Sequence, residues 1–379
     1  MRNDIPDSRE RSIGVPHGEM KFPLFLPDAT FGAVRSVDSA DLEGCGIQAV
    51  VMNVFHLMQN PGSSVIQRLG GLHKFAGWDR PIVTDSGGYQ AYSLIRRDLS
   101  LGGITKRGMF FRPRNSSRRF LLTPEKSIQL QLSYGSDVLI CLDDCTHVSE
   151  PLDSQKESVE RTFRWAERCK TEFMKRNKLG RASTGVRPLL FGVVQGGGSY
   201  ELRRSCAESL LEIGFDGFGY GGYPLDNKGN LLTEMLGFTR KLIPPEFPMI
   251  ALGVGEPSNV IRCMKVGYQM FDSSLPTRDA RQGRLYAFKE NYSSMGAWRE
   301  ESYDNIYVKD KKHVKNGQPI SPYCDCLACS RYSAAFLHHL FNVRDPLYYR
   351  LATIHNLRFM TLLMRDLKGP YNEEQRFKE

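Results

Sequence analysis

The sequence predicts an α/β protein built as a TIM (β/α)8 barrel. Eight short apolar segments of strand length occur between residues 22 and 272, and helix-like segments separate most of them. Most of the strands are almost continuously apolar, as expected for parallel strands that are buried on both faces. They are Phe22–Asp28, Ile47–Asn53, Pro81–Asp85, Val138–Asp143, Leu189–Gln195, Gly217–Gly222, Met249–Gly253 and Gln269–Asp272.

The predicted helices alternate with these strands, and Pro124 stands where a first helical residue tolerates proline. They are Thr123–Tyr134, Asp153–Asn177, Ser199–Ile213, Asn230–Leu242 and Ser258–Val266. A doubly wound open sheet would alternate in the same way, but no Gly-x-Gly-x-x-Gly follows the first strand. Eight β/α units over about 250 residues favour the barrel.

Polar residues or glycines stand at the carboxyl end of every predicted strand. In a barrel these ends meet at one mouth, where barrel active sites lie. A single aspartate there is often only a helix cap or a turn residue. Three at one rim (Asp85, Asp143 and Asp272) favour catalysis, because one carboxylate can act as nucleophile while a neighbour acts as acid and then base. The other end residues are Asp28, Asn53, Gln195, Gly221–Gly222 and Gly253–Gly255.

Segment 94–122 is too long for a strand–helix connection and is predicted to hold an inserted hairpin. Between Arg96 and Arg119 there are eight Lys or Arg residues against one acid, Asp98, with apolar residues at 109–111. The whole chain carries a formal net charge of +9. Solvated loops would explain such a cluster, and so would a surface that binds nucleic-acid phosphates.

A cysteine cluster near the carboxyl end predicts a closed, structural zinc site with one ion per chain. The three thiols, at Cys-x-Cys-x-x-Cys spacing, are Cys324, Cys326 and Cys329. His355, on a predicted helix, is favoured as the fourth ligand over the nearer His338 and His339.

The expected domain organisation has two units. Residues 1–289 form the barrel, with an amino-terminal extension and the insertion near 94–122. Residues 290–379 form a zinc-binding helical subdomain packed on the barrel, with helices Arg331–Phe341 and Leu347–Leu367.

The composition is that of a globular protein, with 41% hydrophobic and 25% charged residues among 379. Because no run of about 18 uncharged apolar residues is present, we expect no membrane span. The polar amino terminus lacks the apolar stretch of a signal peptide. Six of the nine cysteines are scattered singly, which favours a reducing, cytoplasmic location over a disulfide framework.

Seven motifs in chain order resemble those of the tRNA-guanine transglycosylases, over about residues 12 to 365. The motifs are Asp85-Ser-Gly-Gly-Tyr-Gln90, Asp143-Asp-Cys-Thr146, Val194-Gln-Gly-Gly197, Gly221-Gly222, Gly253-Val-Gly-Glu-Pro257, Met270-Phe-Asp272 with Leu275-Pro-Thr-Arg278, and the Cys/His metal set. That family has a TIM barrel with a zinc subdomain, so the resemblance implies the same fold.

The resemblance also implies an activity: exchange of the wobble guanine of tRNAs with a GUN anticodon for a 7-deazaguanine base, either queuine or its aminomethyl precursor. Asp272 would be the nucleophile and would form a covalent ribosyl-aspartate intermediate, while Asp85 would be the general acid/base. The family further implies a homodimer.

The resemblance assigns the remaining residues to substrate binding. Asp143 would accept hydrogen bonds from N–H groups of the base, helped by Gln195 and Gly222, and Tyr89 would stack on the ring. Ser86 and Leu252 would complete the base pocket. The ribose and the neighbouring tRNA nucleotides would be held by Asn53, Arg278 and Arg281.

The chain departs from the family pattern at several places, and Leu252 stands where bacterial members usually carry methionine. Asp144 replaces the usual glutamate, and the loop Tyr223–Asn227 lacks the glutamate of the bacterial pattern Leu-Ala-Val-Gly-Glu. This loop would line the space around the 7-substituent, so the preferred base stays open.

Two alternative functions remain. The same chemistry could act on DNA, although Leu-Pro-Thr-Arg-x-x-Arg after Asp272 favours tRNA. A non-catalytic partner subunit is disfavoured by the presence of both Asp85 and Asp272.

Overall fold

The structure is a computed structural model, and it describes residues 12–113, 117–177, 186–290 and 299–367. The strands are β1 (Ser12–Val15), β2 (Gly18–Lys21), β3 (Leu24–Pro27), β4 (Val50–Asn53), β5 (Ile82–Asp85), β6 (Gly102–Thr105), β7 (Gly108–Phe111), β8 (Phe120–Leu122), β9 (Val138–Ile140), β10 (Leu189–Val194), β11 (Gly217–Tyr220), β12 (Met249–Ala251), β13 (Met270–Ser273), β14 (Arg284–Phe288) and β15 (Tyr303–Tyr307).

The α-helices are α1 (Ser39–Gly44), α2 (Val54–Leu57), α3 (Ser63–Arg68), α4 (Leu72–Ala76), α5 (Gly88–Arg97), α6 (Pro124–Ser133), α7 (Leu152–Asn177), α8 (Tyr200–Ile213), α9 (Thr233–Leu242), α10 (Pro257–Lys265), α11 (Leu275–Gln282), α12 (Leu327–Arg331), α13 (Ala334–Asn342) and α14 (Pro346–Asp366). None of the helices in the described part of the chain is long and apolar enough to cross a membrane.

A sheet of eight parallel strands forms the centre of the molecule. Its strand order is β3-β13-β12-β11-β10-β9-β5-β4. The two end strands also meet, because the Ala29 amide donates to the Val51 carbonyl at 2.7 Å and Asp28 forms a parallel bridge with Val51. The predicted barrel is therefore confirmed, and all eight predicted strands are present.

The five helices predicted between strands correspond to α6 through α10. Sequence reasoning missed α1 to α5 and α11, most of them short. The helix predicted over Arg331–Phe341 corresponds to α13, and the short helix α12, which was not predicted, precedes it. The chain leaves the helical path at Tyr332, and the Ser333 side chain then caps α13 by accepting from the Phe336 amide at 3.2 Å.

The barrel interior is packed with apolar side chains, as β-barrels of this size require. The amino-terminal hairpin of β1 and β2 extends this core, because Val15 and Met20 are buried against it. The interior cluster also contains Leu24, Leu26, Val51, Val83, Val138, Ile140, Phe191, Val193, Ile250 and Met270. The hairpin therefore closes the end of the barrel opposite the mouth.

Asp137 fastens this hairpin to the barrel. Its fully buried carboxylate accepts from the His17 amide at 2.9 Å and from the Ile82 amide at 2.8 Å. It also lies 2.9 Å from His17 Nδ1 and 3.3 Å from His73 Nε2. Burial raises the pKa of Asp137, but the contacts with His73, the Ile82 amide and His17 outweigh burial and hold the pKa below its usual range.

The insertion forms a three-stranded antiparallel sheet of β6, β7 and β8. The predicted hairpin is thus β6 and β7, and β8 is a third strand that was not predicted within the insertion. Arg114 of the basic segment lies outside the described residues.

The carboxyl-terminal part packs on the barrel through α14. Tyr348 donates to the Ala280 carbonyl at 2.9 Å, and Asn356 donates to the Pro276 carbonyl at 2.9 Å, so α14 is fastened along α11. The ladder of β14 and β15 spans residue 289, where the sequence predicts the barrel unit to end.

We expect Asp137→Ala to reduce the free energy of unfolding by about 3 kcal/mol near neutral pH, because two buried amides lose their acceptor. Since the folded-state pKa of Asp137 is depressed, its contribution is present above the unfolded pKa and is lost as the pH falls through the acid range. Urea unfolding at several pH values measures this difference. Asp153→Ala, at a side chain that is 93% exposed, is the control and should change little. Equal stability of both variants at neutral pH would contradict the assignment.

Candidate functional site

The polar residues at the carboxyl ends of the strands gather at one mouth of the barrel, as the sequence predicts. Asp85 ends β5 and pairs in register with Asn53 at the end of β4. Asp143 follows β9, Gln195 follows β10, and Asp272 lies in β13. Because neighbouring strands are parallel, all these side chains emerge at the same rim.

The Asp85 carboxylate accepts hydrogen bonds from donors on its own loop and at the end of the neighbouring strand β4. The Asn53 side-chain amide donates to Asp85 Oδ2 at 2.5 Å. The backbone amides of Ser86 and Gly87 and the side chain of Gln90 also hydrogen-bond to this carboxylate. Gly87 has φ 84°, and a Cβ there would lie 2.7 Å from the Phe55 amide nitrogen, so the turn requires glycine.

Asp143 and Gln195 form a second polar pair on neighbouring strands. Gln195 Nε2 donates to Asp143 Oδ2 at 2.6 Å. Gln195 is fully buried, and its Oε1 has no hydrogen-bond partner among the described residues. Gly222 lies beside this pair, since a Cβ on it would be 3.6 Å from Gln195 Oε1. This corner of the mouth therefore offers both a carboxylate and an unsatisfied amide carbonyl to a planar polar ligand.

Asp272 lies on the other side of the mouth. Its Oδ1 accepts from the Gly253 amide at 3.0 Å, and in the sheet β13 lies between β12 and β3. The backbone of Asp272 itself also hydrogen-bonds to this carboxylate, so backbone amides orient it without a cationic side chain to neutralise it.

The three carboxylates share one electrostatic environment. Burial raises the pKa of Asp85 to about 6 and the pKa values of Asp143 and Asp272 to about 7. The charge of Asp85 raises the pKa of both other groups. Buried carboxyl groups with raised pKa values in a cleft are candidates for acid–base and nucleophilic chemistry.

Arg203, on α8, is a positioning residue that sequence reasoning missed. It is 1% exposed, and it donates to the carbonyls of Val194 (2.6 Å), Gly197 (3.1 Å) and Gly221 (2.9 Å). Its guanidinium also lies 4.1 Å from the Tyr220 ring. Arg203 thus holds together the ends of β10 and β11. No sequence signal distinguishes it from an ordinary surface arginine of a helix.

The other predicted base-pocket residues differ in how exposed they are and in what they contact. Tyr89, on the first turn of α5, is 44% exposed, so its ring is accessible. Leu252 packs against the barrel core below the mouth. Ser86 is fully buried, and its hydroxyl accepts from the Gly88 amide at 3.3 Å, so in this state it stabilises the start of α5.

A basic cavity of about 710 Å³ is lined by Asp28, just after β3, and by Ser274, two residues after Asp272. Arg278 and Arg281 line it, together with Arg35, which sequence reasoning missed. Arg281 Nη1 is buried and has no hydrogen-bond partner in the described ranges. Burial, together with Arg35 and Arg278, lowers the pKa of Arg281, while Asp28 acts in the opposite direction. An anion entering the cavity would relieve this repulsion.

The predicted metal ligands converge at one point. Ligand atoms of Cys324, Cys326, Cys329 and His355 all lie within 4.8 Å of one another. His355 Nδ1 is 3.5 Å from the Cys326 sulfur and 3.2 Å from the Cys329 sulfur. In a tetrahedral site with metal–ligand bonds of about 2.2 Å, neighbouring ligand atoms lie roughly 3.6 Å apart. The observed separations are close to this value.

The tautomer of His355 also fits a metal. Its Nε2 lies 2.7 Å from the Tyr286 carbonyl, so Nε2 carries the proton and Nδ1 faces the sulfurs. The alternative His338 is engaged elsewhere, with Nδ1 2.7 Å from the Val308 carbonyl. The cluster can therefore hold a metal ion, with His355 rather than His338 as fourth ligand.

Comparison with known proteins agrees with this geometry. The family model described as queuine tRNA-ribosyltransferase matches residues 7–378. The chain is similar to queuine tRNA-ribosyltransferases of Psychrobacter sp. strain PRwf-1 (35% identity), Halothermothrix orenii (34%) and Caldanaerobacter subterraneus subsp. tengcongensis (37%). Each alignment covers 97% of this chain and 91% of the relative. The relatives are glycosyltransferases of the pentosyl class, and this chain is an enzyme that belongs to the queuine tRNA-ribosyltransferase family.

Proposed function

We propose that this enzyme exchanges the wobble guanine of tRNAs with a GUN anticodon for a 7-deazaguanine base, by double displacement through a covalent ribosyl-aspartate. One observation carries the proposal: two buried carboxylates with raised pKa values, Asp85 and Asp272, share the barrel mouth with a third that is paired to an amide. Two displacements at one anomeric carbon retain its configuration.

In the first displacement, Asp272 attacks the anomeric carbon of the ribose. A carbon–oxygen bond to the carboxylate forms, the bond to guanine N9 breaks, and Asp85 supplies the proton that the leaving base takes up. In the second, Asp85 removes the N9 proton of the incoming base, which attacks the same carbon and releases Asp272 as a free carboxylate.

Base binding would prepare Asp85 for its role as acid. Asp143 would accept from the ring and exocyclic N–H groups of the base, which favours its ionised form. Since Asp85 and Asp143 repel each other, a fixed negative charge on Asp143 raises the pKa of Asp85. Asp85 would then be protonated when guanine must leave, while the Gly253 amide favours ionised Asp272. Gln195, Gly222, Tyr89, Ser86 and Leu252 would complete the base pocket.

The basic cavity would hold the tRNA backbone next to the reacting nucleotide. Arg278 and Arg281 would contact phosphates there, and the unsatisfied Nη1 of Arg281 supports an anionic partner. Asn53 would lie by the ribose. The competing proposal is the same chemistry on DNA. Measuring guanine exchange with a tRNA and with a DNA substrate would distinguish the two.

The metal ion is proposed to be zinc, with one ion per chain, because three thiolates and one imidazole in a closed tetrahedral set are typical of structural zinc. It would fasten the segment around α12 to α14. All nine cysteines are unpaired, which supports a reducing, cytoplasmic location. The homodimer stays a prediction.

The wild-type enzyme should incorporate labelled guanine into an unmodified GUN-anticodon tRNA and not into duplex DNA. Asp272→Asn should still bind the tRNA but should form no covalent adduct, because an amide is a poor nucleophile. Adducts are measured by denaturing electrophoresis, with Asp304→Asn, at a side chain that is 60% exposed, as control. An adduct in Asp272→Asn would overturn the role of Asp272, and incorporation into DNA would overturn the tRNA substrate.

The rate of guanine exchange should depend on pH through both Asp272 and Asp85. Attack needs ionised Asp272, whose pKa burial raises to about 7, and protonated Asp85, whose pKa burial raises to about 6. The profile of kcat/KM should therefore be bell-shaped, highest between about pH 6 and 7 and roughly sixfold lower at pH 5 and at pH 8. The measurement is initial-rate exchange from pH 5 to pH 8, with circular dichroism at each pH to confirm that the fold is intact. A flat profile over this range would contradict these two roles.

Removal of the metal should lower the melting temperature and disorder the carboxyl-terminal segment, because the ligands hold separate segments together. Cys326→Ala should bind less than one zinc per chain by elemental analysis. Cys263→Ala, at a buried cysteine on α10 outside the cluster, should keep its zinc. Full activity and unchanged melting in metal-free protein would refute a structural role.

A further inference from the structure

A largely buried ion-pair network lies next to the segments that flank Asp272, and the mechanism above makes no use of it. Its centre is Arg284, the first residue of β14. Arg284 Nη2 lies 3.0 Å from Glu256 Oε2 and also hydrogen-bonds to Asp279. All three side chains are at most 26% exposed. Burial lowers the pKa of Arg284, but Asp279 and Glu256 outweigh burial and hold the pKa above its usual range.

The network joins two backbone segments that lie beside Asp272. Glu256 ends the loop that follows β12, and Asp279 lies on α11, which begins at Leu275. Asp279 also accepts from the Tyr286 hydroxyl at 2.5 Å, so α11 is bonded to β14 at two side chains. Because the loop and the helix are bonded to one guanidinium, neither can shift without breaking a contact of that group.

The loop after β12 carries the backbone amide that contacts the proposed nucleophile. The Gly253 amide donates to Asp272 Oδ1 at 3.0 Å. Gly253 has φ 77°, and a Cβ on Gly255 would lie 2.2 Å from the Ser273 Cβ, so the loop needs glycine at both positions. Two glycines also leave the loop with few conformational restraints of its own. A contact from outside the loop is therefore needed to keep the Gly253 amide in place.

Glu256 supplies this contact. It is the amino-terminal cap residue of α10, where a side chain usually accepts from an amide of its own helix, but among the described residues Glu256 makes no such bond. Both of its carboxylate oxygens bind outside the helix instead. Oε2 accepts from Arg284, and Oε1 accepts from the Tyr303 hydroxyl at 3.1 Å. The end of the loop is thereby fastened to β14 and β15.

We propose that Glu256 is a positioning residue of the exchange reaction: through Arg284 it holds the Gly253 amide on the Asp272 carboxylate and so keeps the nucleophile ready to attack. The proposal rests on the proposed function, in which Asp272 is the nucleophile. Glu256 acts through the loop and not by contact with the reacting atoms.

The positioning contact has a measurable effect on proton binding. Burial and the charges of Asp85 and Asp28 raise the pKa of Asp272, whereas the Gly253 hydrogen bond lowers it. Only the hydrogen bond depends on Glu256, because Asp85 and Asp28 belong to other strand ends. A hydrogen bond to a charged acceptor is worth about a tenfold change in proton affinity. Loss of Glu256 should therefore raise the pKa of Asp272 from about 7 to about 8.

Initial rates of guanine exchange from pH 5 to pH 8 in Glu256→Ala test the proposal. Because attack needs ionised Asp272, kcat/KM should fall about tenfold at pH 5 and only about twofold at pH 8, where much of the carboxylate is ionised in either enzyme. Binding of guanine, measured by calorimetry, should be unchanged, since Asp143 and Gln195 lie at the ends of other strands. Glu256→Gln keeps the shape of the side chain and an acceptor for Arg284, so it should show the same pH pattern with a smaller loss.

Glu234→Ala is the matched control, at an exposed glutamate in the first turn of α9. It should keep the wild-type profile and melting temperature. An equal loss at every pH in Glu256→Ala, or a wild-type profile, would overturn the proposal. If Glu256→Ala does not fold, Glu256→Gln decides: a loss greatest at pH 5 supports the positioning role, and an even loss or none overturns it.

A readout without catalysis separates this proposal from the proposed function. Carbon NMR of isotope-labelled aspartate in the free enzyme, with the Asp272 signal assigned by its absence in Asp272→Asn, should show this carboxyl titrating about 1 pH unit higher in Glu256→Ala than in the wild type. If the wild type exchanges no guanine into tRNA but the carboxyl titrates as expected, the proposed function fails and the positioning contact stands. An unchanged titration in Glu256→Ala overturns the positioning role, whatever the wild-type rate.

Discussion

Closure of the parallel sheet between β3 and β4 is the constraint on which the rest of the molecule depends. The contact is small, a bridge between Asp28 and Val51 with one hydrogen bond from the Ala29 amide. It nevertheless converts an open sheet, in which β13 and β5 would be far apart, into a ring in which Asp272 and Asp85 share one mouth. The apolar interior and the amino-terminal hairpin support this closure from the opposite end.

The mouth concentrates negative charge in a place where water cannot screen it well. Burial raises the pKa of Asp85, Asp143 and Asp272, and the charge of Asp85 adds to the effect on the other two. Such an arrangement costs folding stability, as is common for active sites. In the proposed mechanism, a base that presents N–H donors to Asp143 would change the charge felt by Asp85 and Asp272, and binding of the base would thus be coupled to proton transfer.

Two parts of the structure outside the mouth stabilise its geometry: the side chain of Arg203, and the Cys/His cluster together with α14. Arg203 ties the loops after β10 and β11 to one buried guanidinium, so the amide of Gln195 and the backbone of Gly222 keep a fixed relation. The Cys/His cluster and α14 brace the barrel from outside, since α14 is bonded to the carbonyls of α11, the helix that directly follows Asp272.

Much of the architecture could be predicted from the sequence, because strands buried on both faces leave continuous apolar runs and their polar ends mark a common mouth. The eight strands and the five intervening helices were predicted from these patterns, and the convergence of the four metal ligands was predicted from the spacing of the cysteines. The short helices and the third strand of the insertion were not, since their few residues carry too little periodicity. By itself the sequence determined the residue types of the site and their order around the barrel. Only the tertiary structure decided that Arg203 turns inward, that Arg35 joins Arg278 and Arg281, and that the Ser86 hydroxyl is occupied, because each depends on distances between segments that are remote in the chain.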